Sequence, residues 1–261
     1  MNRTTRQPAD SVLGTAQAIG RSEARILWRD RTAIVFIFVL PAVLAGILGP
    51  AVSGLAGDGA SGQAALGFAV MFSFMVVTYA GHAFFREHWY GTNARLALIR
   101  PSRLGYGLGK IAPSAALAFL QLVIFGIIAV VFLDLPLAGG PVQLLGAGAL
   151  LVGAGAALGF LFFALTRSTA TLSNLAYLVL VTFGALGGAI VVFDRLPRWS
   201  QWLGYFTPQF WAMRAARETT FGHGSWTVVG QSYLALLGFC LVFGVIGAWR
   251  FDFNAEKDAT S

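Results

Sequence analysis

Few residues in this chain have types and spacings that could do chemistry, and each set falls short of a catalytic pattern. The string GYGLGK, residues 105–110, invites comparison with a phosphate-cradling loop. That loop needs glycine where Leu104 stands and a hydroxyl residue where Ile111 follows the lysine. His82, Glu87 and His88 lack the spacing of a zinc site, and the third histidine, His223, belongs to the far side. The single cysteine, Cys240, excludes an intrachain disulfide and a thiolate metal cluster. Without a nucleotide motif, nucleophile elbow or metal-ligand set, the chain is expected to be non-catalytic, with no metal and no cofactor of its own.

A second set consists of polar groups stranded in apolar surroundings. Met71, Met75, Thr78 and His82 share one helical stripe, with Tyr79 beside it, and Gln121, Asn174 and Tyr177 could join them. Polar groups at membrane depth usually face a protein interior or a cavity. Thioethers give soft, adaptable contacts. The stripe therefore reads either as interhelical hydrogen bonding or as the wall of a translocation path formed by the second and fifth spans. Glu23 is a further anomaly, a carboxylate within an apolar helix face. The ordinary expectation is a snorkelling or Arg-paired group; the sharper alternative is a buried ion pair joining that helix to the span bundle.

The elements that must position these groups are membrane helices. Of 261 residues, 57% are hydrophobic and 11% charged, with a mean hydropathy of +0.72, against about 25% charged in soluble domains. The net charge of +7 is concentrated in segments beside apolar runs, which speaks for membrane topology and against nucleic acid. After a polar tail, residues 1–10, one domain covers residues 11–261. Residues 11–31 form an amphipathic interface helix in the headgroup layer. Val12, Ala16, Ile19, Gly20, Ala24, Ile26 and Leu27 lie on its apolar side, with Arg21, Arg25 and Arg29 opposite. Six spans follow at about residues 32–52, 64–85, 111–133, 141–166, 172–193 and 227–249, with Pro41 expected to kink the first. No cleaved signal peptide is visible at the start. The fold class is all-α integral membrane.

Charge sets the orientation. Six Lys/Arg precede the first span and five follow the second, whereas the loops after the first and third spans hold only Asp58 and Asp134. Both termini are thus expected on the cytoplasmic side. Residues 194–226, rich in Trp, Tyr and Phe, are too polar to span and too aromatic for a solvated loop. They read as interfacial or re-entrant helices at the outer face, with Arg214, Arg217 and Glu218 toward water or headgroups. Gly155 with Gly159, and Gly184 with Gly188, are G-x-x-x-G pairs permitting close helix approach, within one subunit or between two.

The loop at residues 86–110 carries five Lys/Arg against one acid, Glu87. Residues 92–99 can form two helical turns that end before Pro101, a docking element on the basic side. At this point the chain resembles a type 2 ABC exporter permease, over nearly its whole length. The resemblance rests on Trp28-Arg29-Asp30-Arg31 before the first span, and on Glu87, Gly91-Thr92, Arg95-Leu96, Pro101 and Gly109-Lys110 in the loop. Leu196-Pro197, Trp199, Gln201, Pro208 and Arg214 follow the fifth span. Family permeases often have more acids ahead of the Gly-Thr pair; here Glu87 stands alone.

The resemblance implies the membrane half of an ATP-driven exporter for a drug, antibiotic or lipid-like molecule. A separate ATPase subunit, which binds ATP and Mg, would dock at Glu87, Gly91, Thr92, Arg95, Leu96, Arg100 and Pro101. It would also touch the interface helix at Arg21, Glu23, Arg25, Trp28 and Arg29. A second permease chain, identical or related, would complete a path surrounded by membrane lipids, with no nucleic acid involved. Abundant Gly and Ala hint at a bacterial cytoplasmic membrane. The competing classes are an ion-driven secondary transporter, against which no internal repeat is evident, and an intramembrane lipid-modifying enzyme using His82 and Asp194. Those two residues fall at opposite faces.

Overall fold

A computed structural model describes residues 12–56, 60–89, 102–251 and 257. Among them there are helices and no strands. In chain order these are α1 (Val12–Arg29), α2 (Arg31–Ala56), α3 (Ala60–Ser73), α4 (Val76–Trp89), α5 (Arg103–Phe132), α6 (Pro141–Leu165), α7 (Thr169–Leu186), α8 (Arg198–Gly204), α9 (Pro208–Thr220) and α10 (Trp226–Arg250). The side-chain hydroxyls of Ser102, Ser168 and Thr207 cap α5, α7 and α9, and Pro141 and Pro208 open α6 and α9 where no donor is needed.

Five segments are long and apolar enough to cross a membrane: Gly62–Glu87, Leu104–Phe132, Pro141–Leu165, Thr169–Leu186 and Trp226–Arg250. A sixth arises if α1 and Ile34–Ile47, bent by 57° at Asp30, count together. α2 runs through Pro41 as one helix.

The second span is the centre of the molecule. It comprises α3 and α4, is buried along most of its length, and is packed by α2, α5, α6, α7 and α9. It breaks at Phe74 and Met75, where the Ser73 hydroxyl donates to the Val70 carbonyl at 2.8 Å. The amides of Phe74, Met75 and Val77 bond three residues back. A hydroxyl competing for helix carbonyls in this way favours a tighter 3₁₀ turn. Gly155 and Gly159 of α6 receive the break: a Cβ at Gly155 would lie 2.7 Å from Val76, and one at Gly159 would meet the Val77 carbonyl. This G-x-x-x-G pair is thus used within one chain.

The fifth span is shorter than expected. α7 stops at Leu186 rather than continuing to residue 193, because Gly188 adopts φ +80° and the Ala189 amide turns back to Gly184. Gly188 therefore belongs to a left-handed turn, where glycine carries no Cβ penalty, and does not form a helical pair with Gly184. The aromatic segment also departs from a purely interfacial placement. α8 exposes Trp199, Trp202, Tyr205 and Phe206. α9 is inserted among α3, α6, α7 and α10, burying Phe210, Ala212, Met213, Ala215 and Ala216.

Connections gather at two ends. At one, the Gly139 amide donates to the Thr219 carbonyl at 2.8 Å and Gly62 abuts Leu135. This brings together the α5–α6 loop, the start of the second span and the end of α9. At the other lie α1, the end of α4, the start of α5 and the end of α6. There Phe251 packs on Phe160 and Phe163, and the Lys257 ammonium donates to the Phe163 and Thr166 carbonyls, each at 2.6 Å.

Candidate coupling site

α1 docks on the first turns of α5 along a glycine seam. A Cβ at Gly105 would lie 2.6 Å from the Val12 carbonyl and 2.8 Å from the Thr15 Cβ. One at Gly109 would lie 2.8 Å from the Ile19 Cβ and 2.9 Å from the Ala16 carbonyl. The two glycines are four residues apart, so both fall on one helix face and let the backbones touch. The string GYGLGK is therefore a packing motif. At 30 residues, α5 is about 45 Å long, against about 30 Å of hydrocarbon, so its first turns can extend beyond the core and carry α1.

The contact recentres the buried face of α1. Thr15, Glu23 and Leu27 are buried, while Val12, Ala24 and Ile26, expected on the apolar side, are exposed. Arg21, Arg25, Arg29 and Trp28 are exposed as well, Trp28 to 79%. Positions 15, 19, 23 and 27 recur at one per turn. That register places Glu23 in the middle of the contact rather than at its edge.

Glu23 is 3% exposed, which excludes snorkelling to water. Its Oε2 accepts from the Arg86 guanidinium, and its Oε1 accepts from the Lys110 ammonium at 2.5 Å. Lys110, 2% exposed, also donates to Glu87 Oε1 and lies 5.8 Å from the Tyr106 ring centroid. Two cations and two carboxylates make the cluster neutral. Burying any one of these charges alone would cost several kcal/mol, which mutual hydrogen bonding offsets. Such a cluster fixes geometry more than it adds stability. It joins α1 to both limbs that flank residues 90–101, through Arg86 and Glu87 on α4 and Lys110 on α5.

Of the residues expected to meet an ATPase, Glu87 thus takes part in the cluster. Gly91, Thr92, Arg95, Leu96, Arg100 and Pro101 lie outside the described residues, as do Arg3, Arg6 and Asp58. Arg86 and Lys110 are not among the residues expected from sequence to meet an ATPase. The signal that pairs them was present in the sequence: two lone acids, Glu23 and Glu87, beside apolar runs and matched by two cations at the ends of α4 and α5.

The expected path residues separate into two groups. Met71, Met75, Thr78 and Gln121 are buried. Met71 fills the space at Gly184 of α7, and the Gln121 amide donates to the Ala69 carbonyl at 3.2 Å. His82 Nε2 shares a hydrogen bond with the Ser173 hydroxyl at 2.9 Å. Asn174 and Tyr177, by contrast, are exposed on α7, with Leu178 and Val181. A separate apolar crevice of about 330 Å³, walled by Leu66, Val70, Leu122, Leu144, Leu151 and Ala216, includes none of the residues chosen from sequence.

An all-α, multi-pass membrane protein with a helix clamped to one end of its spans is the class defined by these features. Residues 15–221 match the family model for the ABC-2 type transporter, and the chain belongs to that family. A comparison with curated proteins found no match. The chain is accordingly a permease of ABC-type transport, in a family whose membrane domain is generally non-catalytic and works with an ATPase partner in a dimeric arrangement.

Proposed function

We propose that this chain is the membrane subunit of an ATP-driven exporter, moving a drug, antibiotic or lipid-like amphipathic molecule out across a bacterial cytoplasmic membrane. The observation that carries the reading is the neutral buried cluster Glu23–Arg86–Lys110–Glu87. It ties α1 to both ends of the basic loop, so a push on residues 90–101 would reach α1, α4 and α5 together. A separate ATPase subunit, carrying ATP and Mg, docks on this loop, and closure of two such subunits biases the spans between inward and outward states. Both termini are cytoplasmic. A second permease copy, identical or related, covers the exposed Asn174–Tyr177 face of α7, where polar groups would otherwise meet lipid.

The test is co-purification of the tagged chain from mild detergent, followed by transport in liposomes with and without ATP. A stoichiometric ATPase is expected, lost in Arg95→Glu while the chain still reaches the membrane. Transport that proceeds without ATP or an ATPase would replace this reading with an ion-driven secondary transporter.

A further inference from the structure

The end of the bundle opposite the Glu23 cluster holds a cavity of about 510 Å³, whose walls include Phe193, Asp194, Tyr205, Arg214, Arg217 and Glu218. Arg214 and Arg217 are three residues apart on α9 and so share one face. Of the two carboxylates beside them, Glu218 is committed to backbone amides and Asp194 is held loosely. Glu218 Oε1 accepts the backbone amides of His223 at 3.3 Å and Ser225 at 3.0 Å, which holds the turn into α10. Asp194 has a side chain 79% exposed and approaches Arg217 Nη1 at 3.6 Å; a pair this open neutralises little. Arg214 has no carboxylate partner among the described residues. It donates to Gln231 Oε1 at 3.1 Å, and its guanidinium lies 5.4 Å from the Trp211 ring centroid.

A second observation comes from charge placement. Residues 194–226 hold Arg195, Arg198, Arg214 and Arg217 against Asp194 and Glu218, an excess of two positive charges. The other described connection at this end, residues 133–140, carries Asp134 as its only charge. Cations at an end that otherwise lacks them run against the usual topological bias, and two of the four, Arg214 and Arg217, line a cavity instead of a flat surface.

We infer that this cavity binds an anionic oxygen group, a phosphate or a carboxylate, with Arg214 and Arg217 as its donors. A planar guanidinium can give two parallel hydrogen bonds to such a group, and the aromatic walls at Phe193 and Tyr205 seat the apolar part of the molecule that bears it. Two sources share this chemistry: the headgroup of an anionic lipid, and a free anion from the aqueous side. The site is independent of the ATP-coupling reading, since it lies at the other end of the spans.

The experiment uses the full chain purified in a neutral detergent, with native mass spectrometry counting retained phosphatidylglycerol against phosphatidylcholine and inorganic phosphate added as competitor. A preference of about tenfold for phosphatidylglycerol is expected, corresponding to one charge-assisted contact. R214Q/R217Q abolishes it, R214K/R217K keeps part of it, and Arg250→Gln at the opposite end leaves it intact. Displacement by millimolar phosphate identifies a free-anion site, and retention against phosphate with lipid preference identifies a headgroup site. Should the double variant not fold, Arg214→Gln alone must still weaken the preference. Equal retention of the two lipids with no effect of phosphate overturns the inference, and so does a preference unchanged in R214Q/R217Q.

Discussion

The two ends of this bundle handle charge in opposite ways. At one, Glu23 and Lys110 are withdrawn from water and bind the half-buried Arg86 and Glu87, two cations to two carboxylates across three helices. At the other, Arg214 and Arg217 border an open cavity, with one loose carboxylate, Asp194, 3.6 Å from Arg217. Charges that satisfy one another while buried cannot exchange partners cheaply, so they transmit displacement. Charges left half-paired at a cavity are free to meet something else. The difference separates a mechanical joint from a receptive surface, although both draw on the same residue types.

The contrast breaks most directly at Glu23. Glu23→Leu leaves the buried Lys110 and the half-buried Arg86 with Glu87 as their one carboxylate, and a loss of about 3–5 kcal/mol is expected, measured by thermal unfolding in detergent. Adding Arg86→Met, which removes the stranded cation, should recover part of that loss. If Glu23→Leu costs no more than an exposed substitution, the joint is not one. Gly105→Leu comes next. Helix propensity favours the change by about 1 kcal/mol, but the Val12 carbonyl stands 2.6 Å from the new Cβ. Overpacking of about 1–3 kcal/mol should win. Gly107→Ala, with nothing within 4 Å, should instead be neutral or stabilising, and equal effects at both glycines would deny the seam.

A smaller effect is expected at Lys257→Met, which removes two hydrogen bonds to the final carbonyls of α6. The loss should be about 1–2 kcal/mol, seen as faster amide exchange at Thr166. Asp194→Asn closes the series at under about 1 kcal/mol. It should also tighten anion retention by relieving Arg217 of its partner; weaker retention would mean that Asp194 itself helps to hold the ligand.

Much of the architecture could be read from the chain because apolar length and periodicity report burial directly. The amphipathic α1, the long apolar helices and the helical character of residues 194–226 all follow from that pattern. What stayed hidden depended on partners rather than patterns. The apolar run 187–193, GGAIVVF, reads as a continuing span because hydropathy does not register the left-handed turn at Gly188. Gly105 and Gly109 resembled a failed nucleotide loop, since their use becomes visible only when α1 lies against them. Glu23 was conspicuous as an acid out of place, yet its cations come from residues 63 and 87 positions away, beyond the reach of local spacing.

The encasement of Gly62–Glu87 has a consequence for biosynthesis. Most of the helices that enclose it, α5, α6, α7 and α9, are translated after it. When the second span first leaves the ribosome it can have only α1 and α2 as early neighbours. Its inward Thr78 and His82 must then wait in lipid, or beside a helper, until Ser173 and the helices around it arrive. The last part of the wall is α9, which is followed in the chain only by α10, packed against it. Assembly of this permease is therefore a late closure around an early core, and a chain arrested before residue 208 would expose to cellular quality control the surface that the finished protein hides most completely.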